Sequence, residues 1–267
     1  MKSSTADETK DVAMTNEDRV VYSAPALEKG LDILETLAVA PEPMTARQIA
    51  EELGRSKNEI FRMVYVLVER GYLQRDPATD RLSLSNRLFE LGMRSPRTRT
   101  LVEVALPAME EFANAFGHAT HLVVVSHGQT VVIANVAPPW TAFNFFLQPG
   151  YGNAATEAIS GQTIIAFQPL ERRRAMIEES LSLLGGKSSF ANLDEEIDSI
   201  ASAGSIVAPS HFLVGVVDIC APILDKSGRA IASVVVPCIQ HREREEDYEQ
   251  IRAALVDRCS AISQELG

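Results

Sequence analysis

Cysteine is scarce in this 267-residue sequence: Cys220, Cys238 and Cys259 are all there are, and no two have a CxxC spacing. An odd count without that spacing indicates neither a disulfide framework nor a structural zinc cluster, and reduced thiols fit a cytoplasmic protein. Long apolar runs are missing too. None reaches the roughly 18 residues that a membrane span needs, and the first twenty residues are polar and acidic, without the apolar core of a secretory signal. A cytoplasmic location and no membrane partner are therefore expected. There is no internal repeat and no low-complexity segment. Positive charge is also in short supply, with a net charge of −11. Spread evenly, that balance would argue against nucleic acid.

The balance is uneven. Residues 100–267 carry 10 basic and 20 acidic side chains, whereas residues 44–99 carry 11 basic and 7 acidic. An electropositive module is joined to an acidic body, and only the local field matters for phosphate contact. The length allows two compact domains, and 46% hydrophobic residues at a mean hydropathy of zero are globular. Residues 1–22 mix charges with small polar residues and cannot bury enough surface to offset ordering, so a disordered tail is expected there.

From residue 23 the spacing changes. Leu27, Leu31, Leu34 and Ala38 recur at helical intervals behind a Ser-Ala-Pro start, which predicts a helix over Pro25 to Val39. Thr45-x-x-Gln48 spells a capping box before Ile49, Ala50 and Leu53, and Gly54 supplies a residue suited to positive φ. Ser56-x-x-Glu59 spells a second box, followed by Ile60, Met63, Val64, Leu67 and Val68 on one face until Gly71. Helix, short glycine-containing turn, helix is the helix-turn-helix pattern. Tyr72 to Arg75 and Arg81 to Leu84 read as two short strands around a Pro- and Asp-bearing loop, making a wing, and residues 23–85 together read as a winged helix-turn-helix DNA-binding domain. Residues 86–100 read as a linker helix followed by a basic joint at 95–100.

With Ile60, Met63, Val64 and Leu67 facing inward, the 100° helical step turns Lys57, Asn58, Phe61, Arg62 and Tyr65 outward. Arg62 suits a bidentate pair with guanine and Asn58 with adenine. Lys57, Arg47 and Arg55 suit phosphate positioning, Ser56 is a further expected DNA-binding residue, and Arg75 or Arg81 on the wing suits an adjacent backbone or minor groove. Glu59 is acidic on this face, and its capping role accounts for it. Double-stranded DNA is the expected partner.

Residues 101–267 read as α+β around an antiparallel sheet. Strand signals cover His121 to Val125, Thr130 to Val136, Val216 to Leu224 and Arg229 to Val236, with helical segments at 101–116, 154–168, 170–184, 193–203 and 243–266. In the strand Val216 to Leu224, alternation puts Asp218 and Cys220 on one face and Val217 and Ile219 on the other. Phe143, Phe145 and Phe146 read most simply as the core of a further strand, with a pocket or a subunit interface as alternatives.

The stretch "ALEKGLDILETLA…MTARQIAEELGRSKNEIFRMVYVLVERGYLQRDPATDRLSLS" resembles the winged helix-turn-helix of the IclR family of bacterial transcriptional regulators, and the similarity continues through residue 240. Lys57, Asn58, Glu59, Ile60, Phe61 and Arg62 match the family's Lys-Ser-Thr-aliphatic-Tyr-Arg spelling, with departures at Asn58 and Glu59, so no operator sequence carries over. The resemblance implies a GAF-like effector domain beyond residue 100, with a small organic molecule held between a curved sheet and a helix N-terminus. "GYGNAATEAISGQTIIAF" corresponds to the family's helix-start motif with Ser160 and Gly161 retained, Thr156 where His is common and Gln162 where Lys is common. His211 stands where the family often has Glu. The implied effector residues are Ala154, Ala155, Thr156, Ser160, His211, Asp218, Cys220 and Val235. Free amides near Ala154 to Thr156 would favour a carboxylate, and Val234 to Val236 an apolar or aromatic part, so an acidic or aromatic effector is expected. The resemblance also implies a homodimer or a dimer of dimers.

Two other classes compete. His211, Asp218 and Cys220 have the residue types of a thiol hydrolase, but a strand cysteine with nothing beside it to lower its pKa is ordinarily inert. Alternatively the acidic body serves only for oligomerisation. His118 and His121 lack the further ligands a metal needs and read as a helix-end residue and a strand residue on different faces. No metal and no cofactor is expected, and the choice between repressor and activator stays open.

Overall fold

The computed structural model describes residues 23–240 and 246–267, with the backbone alone at 93 and 96–99. The expected tail at 1–22 and the start of the last expected helix, 243–245, lie outside the described residues. The chain forms two units that divide between Gly92 and Met93.

The first unit contains α1 (Pro25–Val39), α2 (Ala46–Glu52), α3 (Lys57–Glu69), the antiparallel pair β1 (Leu73–Arg75) and β2 (Leu82–Leu84), and α4 (Arg87–Arg94), which runs across the division. Both capping boxes form. Thr45 and Ser56 each accept from the backbone N–H three residues on, and Gln48 and Glu59 reach back to the cap amides. Between the boxes Gly54 takes a φ of +59°, and the Arg55 N–H donates to the Ala50 carbonyl at 2.9 Å, which closes the turn. Ile33, Leu37, Ile49, Ile60, Val64 and Leu73 fill the core with Leu82 of the wing. One element was not expected: Met44 bridges Leu82, adding a third short piece to the wing. Asp76 shapes the wing loop by accepting from the Ala78 amide at 2.8 Å and the Thr79 hydroxyl at 2.7 Å.

Loss of one cap should loosen the start of α3. Ser56→Ala is expected to cost about 1 kcal/mol, read as faster amide hydrogen exchange in the first two turns of α3. Unchanged protection there would show that the box contributes nothing.

The second unit contains α5 (Pro96–Phe116), β3 (Thr120–Ser126), β4 (Gln129–Val136), α6 (Ile159–Ala166), α7 (Leu170–Leu183), α8 (Leu193–Ala203), β5 (Ile206–Pro209), β6 (Val216–Leu224), β7 (Ala230–Ile239) and α9 (Tyr248–Leu266). The five strands make one antiparallel sheet in the order β4-β3-β7-β6-β5. Strand alternation decides its layers. Val217, Ile219, Ala221 and Ile223 of β6, with Val234 and Val236 of β7, pack against α5 and α9. Cys220 and Val235 point the other way, against Val123, Val132 and Ile159. α6 lies across that second face, and Ile164 and Ile165 pack with Met176 of α7 and Ile197 and Ile200 of α8. The β3–β4 turn uses His127 and Gly128 at φ +50° and +74°. A side chain at Gly128 would lie 2.6 Å from the Glu179 backbone, so the turn also docks on α7.

Four sequence expectations need correction. β5 was not anticipated: four residues carry too little periodicity, and their strand character depends on pairing with β6. The phenylalanine segment is not a strand. The Thr141 hydroxyl and the Asn144 amide donate to the Pro138 carbonyl, a local network that replaces ladder bonds, and Phe143 is 80% exposed. Residues 96–100, read as a joint, belong to α5, whose first turn suits Pro96. The helix expected from 154 begins only at Ile159, with consequences for the effector site.

Candidate functional site

On α3 the buried positions are Ile60 and Val64, which leaves Lys57, Asn58, Phe61, Arg62 and Tyr65 exposed together. The side chains of Lys57, Asn58 and Arg62 have no hydrogen bond or ion pair among the described residues. Their neighbours do. Arg47 pairs with Glu51 at 2.7 Å, Arg55 with Asp32 at 2.8 Å and Arg75 with Asp80 at 2.7 Å. Arg81 donates to the Pro43 carbonyl at 2.6 Å. Such exposed pairs are worth about 0–1 kcal/mol, so a phosphate can displace them. Glu59 is held by Lys29 at 2.5 Å and by Ser56. Hydrogen bonds from Lys29 and then Ser56 bring its pKa down to about 2. The acid on this face is thus neutralised by α1. What projects from the helix start is a flexible cation, an amide, an aromatic ring and a guanidinium.

In the second unit a cavity of about 140 Å³ opens between the sheet and the start of α6. β3 supplies His121 and Val123, β6 Asp218, and β7 Val235 and Pro237, all from the α6 side of the sheet. Ala158, Ile159 and Ser160 close it at the N-terminus of α6, whose first amides have no intrahelical acceptor. Phe145, Leu147 and Tyr151 form one rim, and Ser210 to Leu213 another.

The polar groups at the ends of this cavity differ. His121 is fully buried, and its Nε2 accepts from the Leu147 N–H at 3.1 Å. The ring is neutral, because burial pushes its pKa down to about 4 against the weaker opposing pull of the Phe145 backbone. A neutral imidazole that accepts at Nε2 carries its proton on Nδ1, and that atom is buried without a partner in hydrogen-bonding geometry. Burial also pushes the Asp218 carboxyl up, against the Ser210 hydrogen bond and the His211 charge. His211 is at the exposed rim, steadied by the Glu157 carbonyl at 3.1 Å and by the Phe190 ring. Among the described residues no Lys or Arg lines the cavity.

Four of the expected effector residues meet at this cavity: Ser160, His211, Asp218 and Val235. Ala154, Ala155 and Thr156 do not line it. Ala154 bridges Gln129, the Ala155 N–H donates to Gly128, and the Thr156 N–H and hydroxyl engage Ser180 on α7 at 3.0 Å. The Ala155 and Thr156 amides are already used, so the anion-favouring helix start moves to 158–160. Gln162, the departure from Lys, donates to the Thr156 carbonyl at 2.8 Å and locks this turn. Gly161 has no room for a side chain, since a Cβ there would meet the Ala155 carbonyl oxygen at 2.2 Å. Cys220 shares the face but lies beneath the wall, fully buried, its thiol pushed up to about 12 by burial. A thiolate nucleophile is not available in that state. His121 was overlooked by sequence reasoning. Its alternation with Val123 was visible, but which face β3 presents to α6 depends on the sheet order.

A winged helix-turn-helix joined to an α+β domain with a cavity at a helix N-terminus defines a ligand-responsive transcriptional regulator. The comparisons agree. The model of the IclR helix-turn-helix domain matches residues 26–77, and that of the bacterial transcriptional regulator IclR C-terminal region matches residues 95–264. The chain belongs to the IclR family of transcriptional regulators, whose members bind DNA under the control of small-molecule effectors. It is 27% identical over 214 residues to the HTH-type transcriptional regulator BhcR of Paracoccus denitrificans (strain Pd 1222), covering 79% of this chain and 76% of that one. Among solved structures, an IclR transcriptional regulator from Alicyclobacillus acidocaldarius aligns with a TM-score of 0.74 at 20% identity, covering 92% and 100% of the two chains. An IclR homolog from Microbacterium hydrocarbonoxydans, solved with 4-hydroxybenzoate, aligns at 0.73 and 22%, covering 90% and 98%. Among the described residues no helix is long and apolar enough to cross a membrane.

Proposed function

We propose that the effector is a small hydroxylated aromatic compound, with or without a carboxylate, and that it acts by binding without being consumed. The observation that carries this is the pairing at the cavity of a buried Nδ1–H donor on His121 with the Asp218 carboxyl, across apolar walls from Val123, Leu147 and Val235. An acceptor group satisfies His121 and the first amides of α6, and a hydroxyl donates to Asp218. The ligand of the Microbacterium homolog has this chemistry. Because no Lys or Arg among the described residues lines the cavity, an aliphatic polyanion fits it poorly. The buried, high-pKa Cys220 supports sensing over hydrolysis.

On DNA, Arg62 and Asn58 read bases, and Lys57 and Ser56 hold phosphate. Arg47, Arg55, Arg75 and Arg81 exchange their internal partners for backbone contacts, and Phe61 meets a thymine methyl. The chain acts as a homodimer or dimer of dimers in the cytoplasm, with residues 23–85 binding DNA, 86–100 linking and 101–267 sensing. Exposed Leu88, Phe89 and Leu91 on α4 support a dimer contact, Phe89 being 70% exposed. Two recognition helices would then enter major grooves about 34 Å apart.

A thermal-shift screen of aromatic acids and phenols tests this reading, with each hit checked for operator release and for turnover. Asp218→Asn is expected to weaken a hydroxylated hit about tenfold while apo DNA binding stays unchanged. Unaltered affinity in calorimetry would move the site elsewhere, and turnover of a hit would establish an enzyme.

A further inference from the structure

A second constellation borders the effector cavity without lining it. His118 follows the left-handed Gly117 that ends α5, Cys238 is near the end of β7, and Glu246 precedes α9. Nothing in their spacing joins them, yet His118 Nε2, Cys238 Sγ and a Glu246 carboxylate oxygen all lie within 4.8 Å of one another. The imidazole and carboxylate are 2.8 Å apart, and their side chains are only 10% and 4% exposed. Cys238 is buried, and burial, then the charges of Glu246 and Asp218, push its thiol up.

We propose that His118, Cys238 and Glu246 form a binding site for a borderline divalent transition metal of the Zn²⁺ type. Three arguments support it. One neutral imidazole, one thiolate and one carboxylate balance a dication, so the three ligands and the metal together carry no net charge. The donor set selects the metal: Mg²⁺ and Ca²⁺ take oxygen ligands, and mixed N, S and O donors suit Zn²⁺, Co²⁺ or Fe²⁺. The geometry is within reach. Bond lengths of about 2.0–2.3 Å in a tetrahedral site place ligand atoms roughly 3.3–3.7 Å apart. The 2.8 Å pair therefore opens by well under an ångström, and the widest separation closes by about one.

The three ligands among the described residues leave a fourth position. His118 and Glu246 also line a cavity of about 300 Å³ walled by Trp140, Asn144 and Phe145, so that position opens onto space for water or a small oxygen-donor molecule. Binding exchanges the Cys238 thiol proton for the metal, which makes affinity rise with pH. The inference does not depend on the identity of the effector.

Metal-stripped, full-length protein titrated with Co²⁺ tests it. One equivalent per chain should bind with the intense visible bands of a four-coordinate ion and a thiolate-to-cobalt charge-transfer band. Zn²⁺ should then displace the Co²⁺. Cys238→Ser should abolish the charge-transfer band. In case that core variant does not fold, Glu246→Gln should keep the band and lose about tenfold or more in affinity. Absence of stoichiometric uptake, uptake without a charge-transfer band, or Glu246→Gln binding like the unaltered chain would overturn the assignment.

Discussion

Arg62→Ala should lower the preference for operator over nonspecific DNA by about 5- to 150-fold, the equivalent of about 1–3 kcal/mol for one bidentate base contact. Arg62 is singled out because it is exposed beside the start of α3 and has no internal partner among the described residues, whereas Arg47, Arg55, Arg75 and Arg81 are all engaged. Nonspecific affinity should fall much less, because it follows the count of phosphate contacts. Lys57→Ala should show the complementary behaviour, lowering the salt slope by about one with little change in preference. Anisotropy titrations on operator and scrambled duplexes at several salt concentrations separate the two. An unchanged ratio for Arg62→Ala would mean that another face of α3 reads the bases.

Acid should destabilise the second unit by about 3 kcal/mol between pH 6.5 and pH 4 through His121 alone. The sign follows from where the proton binds. In the unfolded chain this imidazole titrates near its ordinary 6.5, and in the folded protein burial holds it at about 4. Between those values the unfolded state binds the additional proton, so stability present above pH 6.5 is lost as pH falls through the window. His121→Gln keeps an acceptor for the Leu147 N–H but does not titrate, so this component of the pH dependence should flatten. Chemical denaturation followed by the fluorescence of Trp140 provides the reading. A variant whose pH profile superimposes on that of the unaltered protein would show that other groups govern acid sensitivity.

What was legible in the sequence was what is local. Thr45 with Gln48 and Ser56 with Glu59 set their helix starts within four residues, and α7 and α8 run close to their periodicity. The alternation of Asp218 and Cys220 against Val217 and Ile219 also survives folding. Illegible were features that need a partner distant in the chain. β5 exists because β6 lies beside it, and Thr156 is drawn out of helix by Ser180. His121 becomes a site residue because β3 pairs with β7. His118, Cys238 and Glu246 meet only once β7 and the ends of α5 and α9 are in place.

Effector control of DNA binding amounts to one coupling free energy between ligand and operator. The most direct test is the operator affinity of the full chain with and without a saturating cavity ligand from the screen. A shift of at least about tenfold, or about 1.4 kcal/mol, that needs about ten times more ligand in Asp218→Asn is the predicted result. The same dissociation constant in both conditions, with the ligand demonstrably bound, would contradict it.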